Sequence, residues 1–168
     1  MIRFIYTSIL LTLFGLSGCA PKPITTCGVM YLANRPSIDS RVISLESTEQ
    51  TDTSAAIISG VILGETINEN QHHMDTLEFA AVYLVDKKSG ATFGAVADIQ
   101  GYFKLYVPES SYDLTVQYIT YNYLIIKDIQ PKSGKVIQMD VVLGQSNASL
   151  DSTLYQISPT GEILKLAQ

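Results

Sequence analysis

The stretch Ala97-Asp98-Ile99-Gln100-Gly101-Tyr102-Phe103-Lys104-Leu105-Tyr106-Val107-Pro108 decides the fold of this chain. From Tyr102 onward, apolar and amphipathic residues alternate. Phe103, Leu105 and Val107 fall on one face, with Tyr102, Lys104 and Tyr106 on the other. A period of two is the mark of a β-strand with one face buried. The residues before it predict the turn that feeds the strand. Asp98 can accept the amide hydrogen two residues on, and Gly101 tolerates a positive φ. Pro108 stops the run because it has no amide to donate. A second strand follows, with Tyr112, Leu114, Val116 and Tyr118 facing one way and Asp113, Thr115 and Gln117 the other.

Working outward, the same signals mark seven strands, over residues 57–63, 79–85, 92–97, 102–107, 112–118, 121–126 and 136–143. Residues 64–76 read as a polar loop, and Asp86-Lys87-Lys88-Ser89-Gly90 and Gln130-Pro131-Lys132-Ser133-Gly134 as turns. In the last strand Ile137, Met139, Val141 and Leu143 share a face. No long stretch of residues 57–143 has helical spacing. Many short strands with one buried face predict an all-β, seven-stranded antiparallel sandwich over residues 57–144. The expected core includes Phe103, Leu105, Leu114, Val116, Met139 and Val141. The run 121–126 is apolar on both sides, which predicts that something covers its outer face. Residues 145–168 read as a hairpin around Ser158-Pro159-Thr160-Gly161, extending a sheet or docking on a partner.

The amino terminus carries a different message. Arg3 precedes an apolar run over residues 4–16, about a dozen residues where a bilayer-spanning helix needs roughly 20. A basic start, an apolar middle and small residues after it make a signal peptide over residues 1–18. The run ends Leu16-Ser17-Gly18-Cys19, which resembles the bacterial lipobox. That resemblance implies recognition of Leu16, Ser17 and Gly18 by a lipoprotein signal peptidase. It also implies cleavage before Cys19, acylation of the Cys19 thiol and membrane attachment. Two or three acyl chains hold a protein firmly where one holds it marginally. Ala20 follows the cysteine and no acidic run comes next. By the same resemblance this points to the outer membrane, on its periplasmic face.

Removing residues 1–18 leaves 150 residues, 10 basic and 16 acidic, with a formal net charge of -6. No basic cluster is present, which argues against nucleic acid. With Cys19 acylated, as the lipobox resemblance implies, Cys27 has no intrachain partner, so no intrachain disulfide is expected to support the fold and Cys27 is either a free thiol or paired with another chain. Residues 19–56 carry Pro21, Pro23 and Pro36 and a Ser/Thr/Glu-rich stretch, and read as a lipidated, flexible tether. Within them, residues 28–33 and 42–45 are short enough to be strands or nothing.

Residues 58–143 resemble the carboxypeptidase regulatory-like domain, a transthyretin-like or prealbumin-like sandwich seen in Bacteroidetes-type lipoproteins. The resemblance rests on Ile58-Ser59-Gly60-Val61-Ile62, on Ala80-Ala81-Val82-Tyr83-Leu84, on Asp98-Ile99-Gln100-Gly101-Tyr102-Phe103 and on Val107-Pro108. Ala97 stands where that family has threonine. Thr120-Tyr121 stands where it has a glycine–tyrosine pair. The resemblance implies an accessory module with none of the zinc ligands of the enzymes that carry it.

Candidate chemistry is sparse. His72 and His73 are the only histidines, and adjacent residues on an extended chain point to opposite sides, which does not suit one metal ion. No nucleophile elbow and no phosphate loop is present. Asp98, Gly101 and Phe103 read as turn and core. Tyr102 and Tyr106, outward on one strand, are the candidate binding surface, since exposed aromatics stack on sugars or anchor protein contacts. The triplets Asp75-Thr76-Leu77 and Asp151-Ser152-Thr153 resemble O-glycosylation sites and matter if they lie on exposed loops. The expected function is a non-enzymatic, cofactor-free, membrane-anchored interaction or scaffold module with an envelope protein partner. The alternative is a glycan-binding accessory lipoprotein.

Overall fold

The computed structural model describes residues 36–50, 55–147, 152–158, 160 and 162–166. Leu16, Ser17, Gly18, Cys19, Cys27, the run 28–33 and Asp151 lie outside the described residues. Eleven strands are present among those described: β1 Arg41–Glu49, β2 Ala56–Asn68, β3 Gln71–Thr76, β4 Ala81–Asp86, β5 Thr92–Val96, β6 Tyr102–Val107, β7 Tyr112–Gln117, β8 Tyr123–Ile129, β9 Lys135–Gly144, β10 Ser152–Ile157 and β11 Ile163–Lys165. They form two sheets. The first runs β1-β9-β2-β3, with β6 also paired to β2, and the second runs β11-β10-β8-β7-β4-β5.

The alternation read from the sequence places the core. Phe103, Leu105 and Val107 of β6 and Met139, Val141 and Leu143 of β9 are buried, as are Leu114 and Val116 of β7. They belong to one hydrophobic cluster that draws on both sheets, so the protein is all-β and sandwich-like. Tyr112 is fully buried, and its hydroxyl donates to the Pro108 carbonyl at 2.8 Å. Burial raises the pKa of that phenol above its ordinary value. Phe93 meets the Tyr112 ring edge-on, with centroids 5.9 Å apart.

Four expectations are corrected. The sheets are mixed rather than antiparallel, because β2 runs parallel to β9 and β10 parallel to β8. Alternation specifies which face a residue takes and carries no information about strand direction.

Residues 64–76 are no loop. β2 continues to Asn68, turns at Glu69 and Asn70 with φ of 49° and 64°, and returns as β3. A two-residue turn with both φ positive matches the twist of a hairpin. All six residues of β3 are exposed, so there was no buried face to impose alternation.

Part of the expected tether is strand β1, antiparallel to β9. A bulge between Val42 and Ser44 leaves Ile43 outside and turns both Val42 and Leu45 onto the core. One extra residue breaks the period of two, which is why the strand was hard to read.

Phe79 does not open a strand. It sits in a turn at φ 62°, and β4 begins at Ala81. The carboxy-terminal pair β10 and β11 is the expected hairpin, and of the two roles expected for it, it extends a sheet, joining the second one at its β8 edge.

Candidate interaction surfaces

The turn before β6 is built by the residues the sequence singled out. Asp98 Oδ1 accepts the amides of Gln100 and Tyr102, each at 2.9 Å. The Gly101 amide donates to the Asp98 carbonyl at 2.9 Å, and the Gly101 carbonyl accepts the Ile62 amide at 2.9 Å. Gly101 has φ 75°, and a Cβ there would stand 2.6 Å from the Ile62 carbonyl oxygen. Glycine is required on both counts. The turn therefore stitches β6 to β2 and delivers Phe103 to the core, and its polar atoms are spent on backbone.

Tyr102 and Tyr106 are exposed on the outer side of β6. They do not converge. Two pleats of one strand separate them, about 13 Å, and Lys104 stands between. The Lys104 Nζ lies 5.1 Å from the Tyr106 ring centroid. A sugar stacking on Tyr106 would have to displace that cation.

The histidines are placed on β3. His72 Nδ1 lies 2.7 Å from Glu65 Oε1, and the other Glu65 oxygen is paired with Arg41 of β1. Among the described residues no group of three metal-ligating side chains forms. The Arg41 guanidinium holds the buried Glu65 carboxyl below the usual glutamate range, burial opposes this, and His72 adds to it. A carboxylate with a lowered folded pKa stabilises the fold above its unfolded pKa. That contribution disappears as pH falls through the folded value. Acid titration of unfolding free energy should therefore fall off less steeply below the usual glutamate range in Glu65→Gln than in the parent chain. Parallel curves would refute this account of Glu65.

Two concavities have the character of contact surfaces. One is a dish of about 420 Å³ lined by Phe79, Ala81, Gln117, Tyr118, Ile119, Thr120 and Tyr123. Its polar reach is small, since the Gln117 amide is already donated to the Tyr83 hydroxyl at 3.0 Å. Phe79 at φ 62° and Thr120 at φ 69° are held in the left-handed region. Side-chain-bearing residues adopt it at a cost, and such strain gathers at functional sites. Replacing Thr120 by glycine should release it. Chemical denaturation should show Thr120→Gly more stable by about 0.5–1 kcal/mol, after the extra chain entropy of glycine is subtracted. A destabilised variant would mean that the threonine side chain holds this loop.

The other is a cleft of about 530 Å³ at the opposite end, between strand β1 of the first sheet and β10 of the second. Leu45, Ile137 and Ile157 supply apolar surface, and Glu46, Ser47, Gln130, Lys132 and Lys135 supply polar groups. Asp128, also on this cleft, pairs with Lys87 and accepts from Gln156 Nε2 at 2.9 Å. Lys87 holds the Asp128 carboxyl below its usual range.

No protein family, no curated protein and no solved structure matches this chain.

Neither concavity was singled out in the sequence. The cleft joins residues from four separate strands and loops, which no local pattern links. The dish left one trace in the sequence, the apolar Ile119 between the strands expected over 112–118 and 121–126. The glycosylation triplets fall on strands: Thr76 closes β3 with Leu77 buried behind it, and Ser152-Thr153 opens β10 with Thr153 buried.

Proposed function

We propose that this chain is a non-catalytic, lipid-anchored module of the bacterial cell envelope that binds another envelope protein. The cleft between β1 and β10 carries this reading. It combines apolar surface with unlike charges, as protein contacts do. It also lies between sheet borders: β1 edges the first sheet, and the β10–β11 hairpin edges the second. A free strand edge accepts an added strand from a partner. The leader and the Leu16-Ser17-Gly18-Cys19 sequence support acylation at Cys19 and attachment to the outer membrane.

For the folded part we propose a transthyretin-like sandwich of the carboxypeptidase regulatory-like kind. Its seven strands are β2 and β4 to β9, to which β1, β3, β10 and β11 are additions. The Asp98–Gly101 turn supports this, as does Thr120, which holds a glycine-favouring φ where that family places glycine.

The test has two arms. Mass spectrometry of the mature protein should find an acylated Cys19 as the first residue, and an intact Met1 would end the anchor. A photo-crosslinker at the exposed cleft residue Ser47 should capture an envelope protein from membranes, and one at Glu78 should capture far less. The interaction reading fails if neither site captures a protein and the chain instead binds glycans in a manner lost in Tyr102→Ala or Tyr106→Ala.

A further inference from the structure

The most exposed large hydrophobic side chains are not scattered. Among the described residues the four highest exposures are Ile119 at 79 % and Phe79, Val96 and Ile99 at 63 % each. All four lie at one end of the sandwich. Phe79 and Ile119 line the same dish. The Phe79 amide donates to the Ala97 carbonyl at 3.1 Å, and Ala97 stands between Val96 and Asp98-Ile99. Three chain segments thus present apolar tips side by side. Tyr118 and Tyr123 sit half-buried behind them. Isolated exposed hydrophobics are ordinary, but a cluster marks a contact surface.

The same end receives the chain from the amino terminus. The Ile38 amide donates to the Gln145 carbonyl at 3.0 Å, and Gln145 Nε2 donates to the Pro36 carbonyl at 3.0 Å. Asn122 Nδ2 donates to Ser37 Oγ and to the Ile38 carbonyl, each at 2.9 Å. Asn122 closes the loop that carries Ile119. Residues 36–38 are therefore pinned beside the apolar tips, and only residues 20–35 separate them from Cys19.

We infer that this end of the sandwich lies against the bilayer, with Phe79, Ile99 and Ile119 dipping into the interfacial region. This rests on the lipid anchor proposed above. The anchor draws toward the membrane the end at which its chain enters. Apolar tips on separate loops need no fitted partner surface, and they gain by leaving water for the acyl boundary. Tyrosines suit the headgroup level, where a ring is half wet. The charges adjoining the tips along the chain are Glu78 and Asp98, and no lysine or arginine occurs in residues 74–86, 89–103 or 105–126. The cations beside the chain entry, Arg41 and Lys165, are paired with Glu65 and Asp39. The contact is therefore apolar, and it favours uncharged headgroups over anionic ones. The partner cleft is left pointing away from the membrane.

The full lipidated chain in phosphatidylcholine vesicles tests the orientation. In a Cys27→Ser background, a polarity-sensitive dye is attached at Ile119→Cys, at Ile99→Cys, or at Ser89→Cys in the turn at the far end. Brominated lipid should quench the first two about twofold and leave the third nearly unchanged, given the shallow depth of interfacial contacts. Phe79→Ser should weaken quenching at Ile99→Cys while the protein stays on the vesicles. Adding anionic phosphatidylglycerol should weaken it as well. A lipidated chain quenched equally at all three sites overturns the orientation and leaves the anchor standing. A chain recovered without lipid removes the anchor and the orientation together. Crosslinking from Ile119 to a protein in native membranes, with no quenching in vesicles, assigns this end to a protein and also overturns the inference.

Discussion

Gly60→Ala should destabilise the fold by more than about 3 kcal/mol, beyond the usual cost of overpacking. Gly60 lies in β2, where it faces β9 across the parallel pairing. A Cβ built there would stand 1.6 Å from the Met139 carbonyl oxygen and 2.6 Å from its carbonyl carbon. These are backbone atoms of a buried strand, so no side-chain rotation relieves the clash. The two central strands of the first sheet would have to move apart. The ladder is already interrupted there, with pairs at Ser59–Gln138 and Ile62–Val141 and none between. Asp140 Oδ1 fills the gap by accepting the Val61 amide at 3.0 Å. Thermal unfolding of the full chain should show Tm lower by roughly 10 °C or more. A shift of only a degree or two would mean that β2 and β9 adjust freely at this point.

Leu114→Ala should cost about 2–5 kcal/mol, the range for emptying a leucine site in a closed core. Leu114 is fully buried in β7, with Leu84 of β4 and Ile126 of β8 opposite it on either side, both also buried. Central position in the second sheet leaves little room for collapse, because both neighbours are themselves tied into ladders. Thr115, the next residue, faces outward, and Thr115→Ala is the matched control with an expected change within about 0.5 kcal/mol. Equilibrium denaturation of both variants checks the difference. Equal effects would contradict the assignment of faces in β7.

Much of the architecture was legible because burial on one side of a strand leaves a period of two in the chain. Phe103, Leu105, Leu114, Val116, Met139 and Val141 were read as core on that pattern alone, and all are buried. The Asp98–Gly101 turn was legible too, since its chemistry lies within a few residues. β3 was not, because a strand exposed on both faces has no reason to alternate. β1 was legible only as the short run 42–45, left open between strand and nothing, because its bulge sets Val42 and Leu45 three residues apart yet on the same side.

The sequence by itself determined the class of the fold and the buried faces. These follow from side-chain chemistry and short-range geometry. Tertiary structure decided strand direction, the parallel pairing of β9 with β2, and the partition into a cleft at one end and apolar tips at the other. Those properties join residues as distant as Pro36 and Gln145, or Leu45 and Ile157. Alternation says which side a residue faces, but only the closed fold says what stands across from it.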